Sequence, residues 1–78
     1  MFILNQNRDI IVNFNSIQRI EIEAYGTHIK GVKKYKILAG NIEGYSILLG
    51  KYDTKEKAIE IMDDIWNYCI TFKYYEMP

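Results

Sequence analysis

Two arginines, one histidine, one cysteine, one tryptophan and seven tyrosines are the side chains through which this 78-residue chain could do chemistry. Nucleophilic catalysis needs a Ser or Cys near a His and an orienting carboxylate. The only histidine, His28, follows Gly26 in a turn, and Cys69 falls on the apolar stripe of a C-terminal helix, where a free thiol is ordinarily a small packing group. The carboxylates of Asp63 and Asp64 sit at adjacent helix positions, which do not face each other. Glu21 and Glu23 share the solvated side of a strand. The loop Gly40-Asn41-Ile42-Glu43-Gly44 lacks the Lys and Ser/Thr of a phosphate-binding loop and leads into a strand rather than a helix. Cys69 with His28 as its one soft partner makes no zinc site. Neither catalysis, nor a cofactor, nor a metal is expected.

What remains is the chemistry of binding. Tyrosine can stack on a base or join an interface while hydrogen-bonding at its tip, and arginine can grip a phosphate bidentately. For a nucleotide ligand the candidates are Arg8 in the first hairpin loop, Arg19 on a polar strand face, Tyr25, His28, Tyr35 and Trp66. Each has a plainer reading. Arg19 can pair with a cross-strand acid, as exposed arginines often do at little gain, and Trp66 borders the core stripe of the helix. Lys30, Lys33, Lys34 and Lys36 form a basic run around Tyr35, which could meet a polyanion. Alternation puts Lys33 on one face and Lys34 and Lys36 on the other, and charges on an edge strand also block edge-to-edge aggregation.

Composition narrows the partners. Ten basic and ten acidic residues give a formal net charge of zero, against wrapping duplex DNA, which needs excess Lys and Arg to release counterions. The apolar runs are too short for a transmembrane helix, and the start Met1-Phe2-Ile3-Leu4-Asn5-Gln6-Asn7-Arg8 lacks the basic and long apolar segments of a secretory signal. A cytoplasmic location is the expectation. One cysteine allows no internal disulfide, and a core this small rarely supplies more than about 3–5 kcal/mol. Self-association is the usual remedy, so a homo-oligomer is expected. The 14 Ile, 8 Lys, 7 Tyr and 6 Asn against 3 Ala and 2 Arg match AT-rich coding, which makes the two arginines more informative than the lysines.

The elements that must position these residues follow from periodicity. The pattern predicts one domain over residues 1–78, α+β in class: an antiparallel, meander-like sheet of about five strands over residues 2–52, then one helix over residues 54–72 packed on one face. Phe2 to Leu4 and Ile10 to Phe14 read as short strands about a polar loop. Ile20, Ile22 and Ala24 alternate with Arg19, Glu21 and Glu23 in a strand over Ile17 to Tyr25, half buried and half wet. A strand from Val32 to Ala39 and a hairpin loop of Gly40 to Gly44 come next. Tyr45 to Tyr52 is apolar on both faces, as a strand buried on both sides would be. Asp53 or Thr54 caps the helix, with Glu56 at capping-box spacing from Asp53. Ala58, Ile61, Met62, Ile65, Cys69 and Phe72 form its core stripe, widened by Ile59, Trp66 and Ile70. The tail Lys73 to Pro78 is apolar enough to dock but carries no periodicity to place it.

One helix covers one face of a sheet. Ile11, Leu48 and Tyr52 predict that the other face is not purely polar, and an uncovered apolar face marks an interaction surface. The plainer reading is a twisted sheet with a mixed second face.

The segments Met1-Phe2-Ile3-Leu4-Asn5-Gln6-Asn7-Arg8, Ile11-Val12-Asn13-Phe14-Asn15 and Leu49-Gly50-Lys51-Tyr52-Asp53-Thr54-Lys55-Glu56-Lys57-Ala58 resemble small accessory proteins encoded by phages and prophages of low-GC Gram-positive bacteria. The likeness covers most of the chain and rests on structural motifs, with no catalytic residue to carry over. It implies a stoichiometric counter-defence factor. One form is a homo-oligomeric sponge that sequesters a nucleotide immune signal, cyclic or of ADP-ribose type, between its subunits. Alternatives are a protein-binding inhibitor of anti-CRISPR type that occludes a host nuclease or other defence protein, and a virion or replication accessory subunit. Mimicry of DNA would call for an acidic chain, which this is not.

Overall fold

Short runs of alternating apolar residues, a capped amphipathic stretch and a tail of tyrosines fold, among the described residues, into six strands and one helix. A computed structural model describes residues 1–26, 33–41 and 43–78. In chain order the elements are β1 (Phe2–Leu4), β2 (Ile11–Asn13), a 3-10 turn (Phe14–Ser16), β3 (Arg19–Gly26), β4 (Lys33–Gly40), β5 (Ser46–Tyr52), α1 (Lys55–Thr71) and β6 (Tyr74–Glu76). The class is α+β, as expected, but the single five-stranded sheet is corrected to two three-stranded sheets ordered β2-β1-β6 and β3-β4-β5. The cause is the tail. Tyr74–Glu76 runs parallel to β1, with Ile3 opposite Tyr75, and draws the first hairpin away from the meander. A three-residue strand carries no periodicity by which the sequence could announce it.

The two sheets and α1 share one core. Its members include Ile3, Val12 and Tyr75 from the small sheet, Ile37, Ala39 and Leu49 from the large one, and Ala58, Ile61 and Ile65 from α1. Thr54 is the N-cap, its Oγ1 accepting from the Lys57 N–H at 3.1 Å. Ala58, Ile61 and Ile65 fall on the buried side of the helix, but the predicted stripe is too wide: Ile59, Trp66, Ile70 and Phe72 are exposed. The expectation that β5 is buried on both sides also fails. It is an edge strand, and a β-bulge between Leu48 and Gly50 shifts its register against β4. Past the bulge Tyr52 turns into the core, opposite Tyr35, and Lys51 turns out, opposite Lys36. Gly50 makes room for this, since a Cβ there would meet the Tyr52 hydroxyl at 2.5 Å. That hydroxyl donates to the Pro78 carbonyl at 2.9 Å and so ties down the tail.

The loop after β1 joins the sheets. Asn5 is buried, and its Oδ1 accepts from the Asp9 and Ile10 N–H groups at 3.0 and 3.1 Å while its Nδ2 donates to Asp9 Oδ1 at 2.7 Å. Gln6 docks on the outer edge of β5. Its backbone N–H donates to the Leu49 carbonyl, and its side-chain amide accepts from the Lys51 N–H and donates to the Lys51 carbonyl.

Removal of the Asn5 amide in Asn5→Ala strands two loop N–H groups, at about 1–3 kcal/mol each. The expected loss is about 2–3 kcal/mol, read as a melting temperature lower by about 10 °C or more; a loss below about 0.5 kcal/mol would show that the loop is held elsewhere. Alkaline pH tests the tail. Burial pushes the Tyr52 hydroxyl up to about 12, and burial with the nearby Asp64 charge does the same for Tyr75. Between pH 10 and 12 the unfolded chain releases these protons and the folded chain keeps them, so stability falls across that window, by up to about 1.4 kcal/mol per unit for each group. Phenolate absorbance should grow in step with unfolding; titration of every tyrosine near pH 10 in a folded chain would remove Tyr52 and Tyr75 from the core.

Candidate functional site

Alternation along β3 and β4 sends Ile20, Ile22, Tyr35, Ile37 and Ala39 toward the core and leaves Arg19, Glu21, Glu23, Tyr25, Lys34, Lys36 and Leu38 on the open face of the large sheet. Leu48, Lys51 and Asp53 extend that face from β5 onward. The surface is mixed, with Leu38 and Leu48 half-buried between charges. The plainer reading of the second face therefore holds. Of the residues expected to make it apolar, Leu48 does lie there, Tyr52 is in the core, and Ile11 stands on the outer side of the small sheet.

At the Gly26 end of the open face, the Tyr25 ring has the Lys36 ammonium 5.7 Å and the Lys51 ammonium 5.6 Å from its centroid. Both fall within cation–π range. Lys36 also pairs with Glu23 at 3.8 Å, and Lys34 beside it pairs with Asp53 at 3.5 Å. Three cations and two carboxylates leave one positive charge in excess, and among the described residues no carboxylate comes within 4.0 Å of the Lys51 ammonium. Lys51 further borders a hollow of about 450 Å³ at the head of α1, with Asp53, Thr54 and Lys57. An aromatic face under two ammonium groups, beside a polar hollow, is suited to an anion that carries a planar ring.

A second feature lies on the other side of β3. Between its first residues and α1 runs a groove of about 350 Å³ lined by Phe14, Ile17, Ile20, Met62, Ile65 and Trp66. Trp66 is 69% exposed there, although it borders the core stripe. The groove is apolar, with Asp63 on its border, and so suits an apolar side chain better than a phosphate.

The five sequence candidates among the described residues do not converge. Arg8, at φ 63° in the β1–β2 loop, pairs with Glu76 at 3.5 Å. Arg19 borders the groove, but its guanidinium lies over Gly40 on the open face and pairs with Glu21 of its own strand at 3.6 Å. Tyr25 is on that face too, six residues and about 20 Å along the strand. Tyr35 is half-buried against the core, and Trp66 is on α1. His28 and Lys30 lie outside the described residues, as do Thr27, Val32 and Ile42. Lys33, Lys34 and Lys36 of the basic run lie on the central strand of their sheet, so the edge-protection reading is corrected for them: β4 has a partner on both sides. Lys51 was not among the candidates because strict alternation assigns it to the side of Ile47, and only the bulge reverses that.

Among the described residues no cluster of three or more His, Cys, Asp or Glu side chains could hold a metal ion, and no helix is long and apolar enough to cross a membrane. The Cys69 thiol donates to the Trp66 carbonyl within the helix.

The stacking of Tyr25 under two cations predicts that Tyr25→Ala lowers stability by about 1 kcal/mol and Tyr25→Phe by much less, because the ring and not the hydroxyl makes the contact. Urea denaturation reads both, and equal losses would shift the role to the hydroxyl. Comparison with family models, with curated proteins and with solved structures finds no match to this chain.

Proposed function

We propose that this chain is a non-catalytic binding protein that works as a homo-oligomer and sequesters a nucleotide, the counter-defence role that the resemblance to phage accessory proteins implies. The observation that carries this reading is the Tyr25 ring with the ammonium groups of both Lys36 and Lys51 within cation–π range. In the proposed complex a base stacks on the outer part of that ring, and the phosphates sit beside Lys51 and toward Lys57. Stacking of one base is worth about 1–3 kcal/mol, and Lys51, which has no carboxylate within 4.0 Å among the described residues, supplies the excess charge that a phosphate needs. Arg8 and Arg19, each already paired with a carboxylate, are peripheral to this site.

A second reading, a protein-binding inhibitor, is favoured by a different observation: the apolar groove with its exposed tryptophan has the character of a pocket for a partner's anchor side chain.

Calorimetric titration with a cyclic dinucleotide and with ADP-ribose tests the first reading. One of them should bind, with Tyr25→Ala and Lys51→Ala each weakening binding at least tenfold while Arg8→Ala changes it less than twofold. If neither compound binds and native mass spectrometry of protein incubated with lysate from signal-producing cells carries no released small mass, the nucleotide reading is wrong and the groove becomes the working site.

A further inference from the structure

In the large sheet β3 has β4 on one side and, among the described residues, no strand on the other. Its free edge runs for eight residues, without proline. Such an edge presents unpaired N–H and C=O groups that template pairing with another strand. Its charges on the open face, Arg19, Glu21 and Glu23, decide which strand that can be. When two copies of β3 pair antiparallel about a two-fold axis, the residue at the axis faces itself and its neighbours face one another in reverse order. An axis at Glu21 sets Arg19 against Glu23 twice but Glu21 against itself, and an axis at Ile22 sets Glu21 against Glu23 twice. An axis at Glu23 again opposes two carboxylates, and one at Arg19 opposes two guanidinium groups. With the axis at Ala24 or Tyr25 no charges are paired at all. The axis at Ile20 alone gives ion pairs without a like-charge contact: Arg19 of each copy stands opposite Glu21 of the other, the kind of cross-strand pair that stabilises a sheet.

The apolar groove borders this same end of β3. With Ile20 at the axis, the core-side faces of the two copies bring Ile20 against Ile20 and Ile22 against Gln18, beside the exposed Trp66. Backbone edge, charge order and apolar surface thus agree on one contact. We infer that the partner for the β3 edge is a second copy of this chain, paired antiparallel about Ile20 so that the two β3 strands overlap over Arg19–Glu21 and join the two large sheets, with Arg19–Glu21 ion pairs across the seam. This deepens the homo-oligomer reading above and rests on it.

Light scattering on a size-exclusion column reads the outcome for wild type, Arg19→Glu, Glu21→Arg and the double exchange, with circular dichroism to verify folding. Both side chains are about half exposed, so the variants are expected to fold. Wild type should run at twice the 9.2 kDa chain mass. Each single exchange sets like charges opposite each other twice and should raise the dissociation constant at least tenfold; the double exchange should restore the dimer. Trp66, the only tryptophan, should shift its emission to the blue as concentration rises through the dissociation constant. A wild-type monomer with concentration-independent emission overturns both this contact and the homo-oligomer reading. A wild-type oligomer indifferent to both single exchanges, or one that the double exchange fails to restore, overturns the contact alone.

Discussion

The fold depends on how the chain passes from one sheet to the other at Asn5 and Gln6. β1 belongs to the small sheet, yet two residues later the backbone is hydrogen-bonded to the edge of β5 in the large one. A turn this close to a shared core would bury unpaired N–H groups, each costing about as much as a lost hydrogen bond. Asn5 meets that demand with both ends of its amide, and Gln6 uses its amide as one more peptide unit alongside Lys51. A substitution here acts on the seam that lets two three-stranded sheets share Ile3, Leu49 and Tyr75 in one core.

The tail closes the same arrangement from the far end of the chain. Phe2 donates to the Lys73 carbonyl, Met77 donates to the Leu4 carbonyl, and Tyr52 holds Pro78. Closing some seventy residues has a configurational cost that grows only slowly with loop length. Burial of Tyr75 and Met77 sets about 1.5–3 kcal/mol per large apolar side chain against it. With no disulfide available to Cys69, this pairing of the two chain ends does the work that a covalent staple does in other small domains.

Local signals in the sequence were sound, and what they could not carry was nonlocal. Alternation in Arg19 to Tyr25, the Thr54 cap and the Ala58, Ile61, Ile65 spacing each reflect physics within a few residues, and those elements stand where expected. The small sheet depends on β1 meeting residues seventy positions away, and neither three-residue partner has a period of its own. The bulge in β5 inverted the faces of Lys51 and Tyr52, which cost the site its second cation in the sequence reading and put a core tyrosine on the wrong side. Trp66, Ile70 and Phe72 look like core in a stripe, but the sheet is too narrow to cover them. The candidate site was legible only as Tyr25 and the lysines of the basic run; the two arginines, singled out by their scarcity, turned out to be paired with Glu76 and Glu21.

That pairing bears on how binding and self-association can coexist on one strand. The open face of β3 carries charge at its Arg19 end and an aromatic ring at its Tyr25 end. On the proposed axis at Ile20 the Arg19 ends meet, which places the two Tyr25 rings ten residue steps apart, about 33 Å along the paired strands. No single nucleotide spans that distance, so on the proposed axis each copy would hold its own nucleotide, in place of the pocket between subunits that the resemblance implies. On that proposal association covers the apolar groove and the Arg19–Glu21 end of the open edge, while each Tyr25 cluster stays accessible at an outer end. The strand can be fixed at one end by its twin without losing the other to solvent and ligand, because its charged and aromatic residues are segregated along its length rather than mixed.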